Sequence, residues 1–128
     1  MKILATVTGL DDLTRALDKL GGAARGDVAE KAVGAGGLVL EGAMKETIEQ
    51  LGLVDTGAMM NSVEMETRQD SQGAEALVGP TVEYAIYHEL GTQHMDATPF
   101  ARPALDEHED EIVGAVADVL RRELGGWL

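Results

Sequence analysis

One long helical segment constrains the fold of this 128-residue chain more than any other feature. Asp27 is a candidate N-cap of a helix that reaches about residue 50, and apolar residues recur there at the spacing of one helical face: Val33, Leu40, Met44, Ile48 and Leu51. The pattern predicts a helix about 35 Å long.

Four glycines lie inside this predicted helix: Gly34, Gly36, Gly37 and Gly42. Each costs about 1 kcal/mol relative to alanine in a helix interior, so their presence requires a reason. Close approach of another helix, from the same subunit or from a neighbour, is one reason. A break or bend near Gly36 and Gly37 is the other, and the sequence favours neither.

The remaining elements predict a small sheet and further helices. Residues 2–8 suit an N-terminal strand, and Leu17 and Leu20 continue a short helix capped by Asp11 or Asp12. Residues 62–79 predict a hairpin. Val63, Met65 and Thr67 share one face of its first strand, QDSQG forms the turn, and residues 75–78 form the second, antiparallel strand.

The C-terminal third predicts two more helices. Residues 82–90 are typical of a short helix, with Ile86 and Leu90 four apart and Gly91 as its terminator. After a polar loop at residues 92–98, Pro99 or Pro103 begins a last helix with an apolar face at Leu105, Ile112, Val116, Val119 or Leu120, and Leu124. We therefore expect one α+β domain over residues 1–128, in which a small antiparallel sheet (N-terminal strand plus hairpin) packs against two longer helices and one or two short ones.

Composition and charge exclude several classes of protein. Aromatic residues are 3% of the chain, so the core must consist mainly of Ala, Val, Leu, Ile and Met, and association would help to stabilise it. The chain has no cysteine, and its net charge of −13 disfavours binding to nucleic acid. The acidic surface is either a general solubility feature or a lining past which DNA slides. We expect neither a signal peptide nor a membrane span.

The sequence offers no convincing catalytic or cofactor site. HELGT at residues 88–92 begins like a zinc-protease helix, but Thr92 stands where the second histidine ligand is needed. A metal-dependent hydrolase remains an alternative only if His88, His94 and His108 converge. A small dimeric regulator that touches DNA is a further alternative, against which the charge argues. We predict no catalytic residue, no metal site and no cofactor.

Two segments carry a specific resemblance: LVDTGAMMNSV at residues 53–63 and VGPTVEYAIYHELGTQHMDATPFARPAL at residues 78–105. In order and spacing they resemble the tail-component family of long-tailed phages named after gene product ten of a lambda-like phage. That family's pattern runs VDTG, N-S-I/V, a hairpin, VG, Y-A-x-Y-x-E-x-G-T and P-x-P-F-x-R-P-A-L. This chain departs from it at Met59, Met60, Ala97 and Thr98.

The resemblance implies a structural protein of the virion, assembled in the host bacterial cytoplasm. Its subunits would form a homo-oligomeric ring, a hexamer, in the neck or at tail completion, between the portal and adaptor complex and the tail tube. The expected partners are other copies of the chain, an adaptor or head-closure protein, and a tail terminator or tail-tube protein. DNA would pass through an acidic channel without specific binding. The alternative within the class is the tail terminator itself, which caps the tube.

Nine residues of these segments are candidates for subunit or partner contacts: Asp55, Thr56, Gly57, Tyr84, Tyr87, Glu89, Thr92, Phe100 and Arg102. Asp55 and Thr56 alternatively cap a short helix, and the tyrosines alternatively fill the core. Phe100 alternatively anchors the last helix to the sheet. Arg102 is predicted to pair with an acid across a subunit boundary.

Overall fold

A computed structural model of the chain describes residues 11–53, 56–71 and 73–125. Its elements are α1 (Asp11–Asp18), α2 (Gly22–Leu51), α3 (Thr56–Asn61), β1 (Val63–Asp70), β2 (Gly73–Pro80), α4 (Ala85–Leu90), α5 (Ala101–Glu107) and α6 (Glu109–Leu124). The predicted α+β class is confirmed, because helices pack against a two-stranded antiparallel sheet. The strand predicted at residues 2–8 lies outside the described residues.

Helix α2 is the central element, and its predicted start was wrong. It begins at Gly22 rather than after Asp27, and Gly21 in an extended conformation precedes it. Alanine and arginine favour helix, so Ala24 and Arg25 extend it without adding to the apolar face. Asp27 instead lies inside the helix, where its Oδ1 accepts a hydrogen bond of 2.9 Å from Gln69 of β1. That bond ties α2 to the hairpin.

Two of the four helix glycines, Gly36 and Gly37, serve close packing within the subunit. A Cβ atom added at Gly36 would lie 2.8 Å from Val116 Cγ2 of α6. One added at Gly37 would lie 2.5 Å from Met65 Sδ and 3.0 Å from Ala76 Cβ of the hairpin. Because α2 continues through these residues, a break at Gly36 and Gly37 is wrong, and close approach of neighbouring elements accounts for both glycines. The hairpin and α6 therefore pack on α2 where it lacks side chains.

Two matched alanine substitutions test this packing. Gly36→Ala should lower the free energy of unfolding by about 1–2 kcal/mol, because overpacking outweighs the gain in helix propensity. Gly42→Ala should raise it by about 0.5–1 kcal/mol, because nothing lies within 4 Å of the added Cβ. Urea denaturation followed by circular dichroism measures both. Equal effects of the two substitutions would contradict the proposed contact between α2 and α6.

The hairpin follows the predicted alternation. Val63 pairs with Pro80 at the open end, and Asp70 pairs with Gly73 at the turn. Both strands extend further towards the turn than predicted, β1 to Asp70 and β2 from Gly73. The turn is therefore shorter than the predicted five residues QDSQG. The Gly73 N–H donates to Asp70 Oδ1 at 3.1 Å, and Gly73 has a φ of +153°. A glycine at this position therefore permits the tight connection.

The C-terminal region differs from the prediction in two ways. Helix α4 begins at Ala85, three residues later than predicted. The single last helix is wrong, because His108, with φ −118° and ψ 17°, separates α5 from α6. Three acidic residues occupy the first turn of α6, where the helix dipole favours negative charge: Glu109, Asp110 and Glu111. This favours a new helix start there.

The buried residues form two clusters along α2. The first lies around the C-terminal half of α2, with Met44, Ile48, Met59, Val78 and Phe100 among its members. The second cluster joins α1, α2 and α6. Five of its residues come from α6, on or beside the predicted apolar face: Val116, Ala117, Val119, Leu120 and Leu124. As expected, aliphatic residues, alanine and methionine dominate.

An ion pair between Lys31 and Glu123 further connects α2 with α6. The hydrogen bond from Lys31, and then its positive charge, lower the pKa of Glu123 below its ordinary value. A carboxyl group with a lowered pKa stabilises the fold above its unfolded-state pKa. This contribution is lost as the pH falls through the lowered folded-state value.

Candidate assembly interface

Glu89 connects the two halves of the second motif segment. Its Oε1 accepts hydrogen bonds from the backbone N–H groups of Phe100 at 3.0 Å and Ala101 at 2.9 Å. Its Oε2 accepts one from the Arg102 N–H at 3.3 Å. The first N–H groups of a helix have no partner within the helix, and an anion there is also favoured by the helix dipole. The Glu89 carboxylate therefore caps α5 from α4.

The loop between α4 and α5 is held by its own backbone. The Thr98 N–H donates to the His88 carbonyl at 2.6 Å, and Thr92 and Met95 exchange backbone hydrogen bonds of 2.8 and 3.3 Å. Gly91 has a φ of +74°, and a Cβ there would lie 2.8 Å from Ala97 N. Only glycine fits this position without strain. The loop thus returns the chain from α4 to the start of α5.

Several motif residues therefore have structural roles within the subunit. Ala85, Phe100, Ala101 and Ala104 are fully buried around this junction. Pro103 lies in the first turn of α5, where its missing N–H costs little. Of the two prolines predicted to begin a helix, Pro103 is therefore the one that does. The ring of Phe100 belongs to the first core cluster, which supports its anchoring role. A contact of Phe100 with a neighbouring subunit stays a prediction.

The two tyrosines differ in their environments. Tyr84 is half-buried against the first core cluster, and its ring makes an edge-to-face contact with His88 at a centroid distance of 6.3 Å. Tyr87, inside α4, is 53% exposed. The Tyr84 side chain therefore fills part of the core, whereas the Tyr87 side chain remains largely accessible. Its contact with a neighbouring subunit stays a prediction.

Arg102 and Thr92 make contacts within the subunit. The Arg102 Nε donates to Asp106 Oδ2 at 3.0 Å, along one face of α5. Its side chain is nevertheless 75% exposed, and surface pairs of this kind contribute little to stability. Thr92 Oγ1 accepts a hydrogen bond of 3.1 Å from the His94 N–H. Pairing of Arg102 across a subunit boundary stays a prediction.

The first motif segment is only partly described. Asp55 lies outside the described residues, and Thr56 begins α3 without a described side chain. Gly57 is exposed, and a Cβ there would meet nothing within 4 Å. Within the described part of the subunit, Gly57 is therefore not required for close backbone contact. The proposed contacts of these three residues stay predictions.

In the described residues, His88, His94 and His108, which the alternative of a metal-dependent hydrolase requires to converge, do not form a metal site. Among the residues that the structure describes, no group of three or more His, Asp or Glu residues could hold a metal ion. His108 Nδ1 lies 3.0 Å from the Ala104 carbonyl oxygen, and His94 Nε2 lies 3.1 Å from Gln93 Nε2. These are local contacts on separate segments.

The sequence did not indicate which apolar residues remain exposed. Ile86 and Leu90 were placed on the predicted apolar face of α4, yet they are 42% and 70% exposed. The buried residue of this short helix is Ala85. Leu38 of α2 is 59% exposed. The available signal was that Leu38 lies off the apolar face of α2 defined by Leu40, Met44 and Ile48.

Comparison with known proteins identifies a matching family. Residues 11–91 match the family model HK97-gp10_like, described as "Bacteriophage HK97-gp10, putative tail-component". The matched range includes both the hairpin and α4, and it ends at Gly91. No curated protein and no solved structure matches the chain. Within the described ranges, none of the helices has the length and apolar character of a membrane span.

Proposed function

Because the chain belongs to the HK97-gp10-like family of bacteriophage tail components, we propose that it is a structural subunit of the head-to-tail connection of a long-tailed phage. Copies of the chain form a ring in the neck or at tail completion, between the portal and adaptor complex and the tail tube. An adaptor or head-closure protein contacts one side of the ring. A tail-terminator or tail-tube protein contacts the other.

The observation that carries this proposal is the junction capped by Glu89. Motif residues there build a fixed support from α4, the loop and the start of α5. On this support, Tyr87 and Leu90 point large apolar surfaces outward. Exposed apolar side chains on a rigid support are typical of protein–protein contacts. A structural subunit requires such contacts.

The charge distribution supports a passage for DNA. At the junction of α5 and α6, five carboxylates within six residues are exposed: Asp106, Glu107, Glu109, Asp110 and Glu111. Phosphates bind through Lys and Arg, and a surface dominated by carboxylates repels them. We propose that this acidic turn faces the channel of a hexameric ring. DNA then passes through without being held.

A stop codon early in the gene tests the role in the phage that encodes the chain. Lysates without the protein should contain DNA-filled heads and tails of normal length that are not joined, as seen by electron microscopy. A plasmid copy of the gene should restore joined particles. Infectious, joined virions formed without the protein would contradict the proposal.

The same lysates distinguish the neck from the tail-terminator position. A protein that caps the tail tube limits its growth, so its loss should give tails of abnormal length. A neck protein acts after the tube is complete, so its loss should leave tail length unchanged. Tails of uncontrolled length would therefore replace the neck assignment with the terminator.

A further inference from the structure

An apolar surface remains exposed on α4. We call Ile86, Tyr87 and Leu90 the α4 surface; these residues are neighbours on one short helix, at spacings of three and four, and all are exposed. Met95, in the adjoining loop, is exposed as well. Contiguous apolar side chains on a rigid support mark a contact with another protein.

The charged groups next to the α4 surface are acidic. Glu83 lies just before α4, Asp96 follows Met95, and both side chains are exposed. Arg102, at the start of α5, is already paired with Asp106. Neither Glu83 nor Asp96 forms an ion pair with another described residue. The surface therefore favours an occupant that combines apolar side chains with cations of its own.

The last turn of α6 provides such cations. Arg121 and Arg122 are exposed there, and neither is paired with an acid in the described part of the chain. Of the acids close by, Glu123 is already paired with Lys31, and Asp118 lies one turn earlier in the helix. This turn therefore keeps an excess of positive charge in a chain whose net charge is −13.

Apolar side chains follow these arginines directly in the sequence. Residues 126–128 are Gly-Trp-Leu and contain the only tryptophan of the chain. Tryptophan, arginine and tyrosine are the residues most enriched among those that dominate the binding energy of protein interfaces. Residues 121–128 thus combine the apolar and cationic groups that suit the α4 surface.

The α4 surface of the same subunit is out of reach of residues 126–128. Leu124 belongs to the second core cluster together with Ala32 of α2, whereas Ala85 of α4 belongs to the first cluster together with Ile48. Ala32 and Ile48 lie about 24 Å apart along the helix, at a rise of about 1.5 Å per residue. Three extended residues span at most about 11 Å. Contact with an α4 surface therefore requires a second copy of the chain.

We propose that the α6 end, which we define as Arg121, Arg122 and residues 126–128, binds the α4 surface of the next copy. Trp127 and Leu128 cover its apolar side chains, and the arginines approach the carboxylates beside it. The inference rests on the proposed ring and specifies its subunit contact. Because the two surfaces differ, the contact is heterologous, and its repetition generates a closed ring or an open filament.

The absence of native cysteine allows a direct crosslinking test. The double variant Leu90→Cys/Leu128→Cys, oxidised mildly, should give a ladder of covalent oligomers, both as purified protein and in assembled particles. Each single-cysteine variant should give no ladder. The matched control is Leu38→Cys/Leu128→Cys, since Leu38 is an exposed leucine of α2 outside the α4 surface. A Leu90→Cys/Leu128→Cys variant that crosslinks no more than this control would overturn the proposal.

Two single substitutions test the two sides of the contact. Trp127→Ala and Leu90→Glu should each weaken self-association by about tenfold or more, as for central interface residues. When mixed, they should form dimers of one copy of each variant and nothing larger, because each retains one intact surface. Analytical ultracentrifugation measures both effects, and thermal denaturation monitors the fold. Unchanged self-association of Trp127→Ala, with or without a lower denaturation temperature, would overturn the proposal.

The fluorescence of Trp127 reports on the same contact, because the chain has no other tryptophan. In the associated wild-type protein its emission should lie at shorter wavelength than in Leu90→Glu, where the residue stays in water. Leu38→Glu is the control and should emit like wild type. Equal emission of Leu90→Glu and wild type would show that Trp127 is not buried on the α4 surface.

The outcome is separable from that of the stop-codon experiment. A phage that needs the protein, but whose double-cysteine subunits do not crosslink, would disprove only the docking mode. A phage that forms joined virions without the protein would disprove the proposed function, whatever the crosslinks show.

Discussion

Replacing Phe100 by alanine is expected to lower the free energy of unfolding by about 3–5 kcal/mol, the usual cost of removing a buried phenylalanine ring. Phe100 is fully buried, and among the residues that the structure describes it has the largest of the fully buried side chains. The loss is a large part of the 5–15 kcal/mol that stabilises a typical domain. Urea denaturation followed by circular dichroism measures it, and thermal denaturation provides a second reading.

Tyr87→Ala is the matched control for the loss of an aromatic ring. Because Tyr87 is 53% exposed, its replacement should change stability by only about 0.5 kcal/mol. A Phe100→Ala variant as stable as Tyr87→Ala would contradict the anchoring role of Phe100. The pair thus separates the residue that holds the fold from one proposed to hold the assembly.

Replacing Glu89 by alanine should lower the free energy of unfolding by about 2–3 kcal/mol. The physical reason is that three backbone N–H groups at the start of α5 lose a charged acceptor. Glu89→Gln retains a carbonyl oxygen as acceptor but no charge, so it should fall between wild type and Glu89→Ala. The measurement is again urea denaturation, at neutral pH.

Glu83→Ala provides the control for removal of a nearby negative charge. Glu83 is exposed, directly before the Tyr84 that precedes α4, and its replacement should leave stability within about 0.5 kcal/mol of wild type. If Glu89→Ala were no more destabilising than Glu83→Ala, the carboxylate would not be a cap. The link between α4 and α5 would then depend on the loop alone.

The sequence predicted the hairpin and the longer helices because their signals are local and periodic. Alternation placed Val63, Met65 and Thr67 on one strand face, and helical spacing placed Leu40, Met44 and Ile48 in the core. The start of α2 was missed because its first turns are small or charged residues with no apolar face. The split at His108 was missed because apolar spacing continues across it, from Leu105 to Ile112.

The candidate interface was less predictable, since its geometry depends on contacts between distant residues. Glu89 caps a helix that begins 12 residues later, and no local motif describes such a cap. The buried residue of α4 is Ala85, whereas the larger Ile86 and Leu90, whose spacing predicted the helix, are exposed. For Glu89 and Phe100, the structure adds a role within the subunit.

The chain belongs to a family of phage tail components, and we propose that it forms a ring at the head-to-tail connection. Cryo-electron microscopy of the neck of intact virions, with residues 11–125 fitted into the density, tests it most directly. We predict a ring of six copies between the adaptor and the tail tube, with the α5–α6 turn facing the channel. A neck whose density is fully explained by other proteins would contradict the claim.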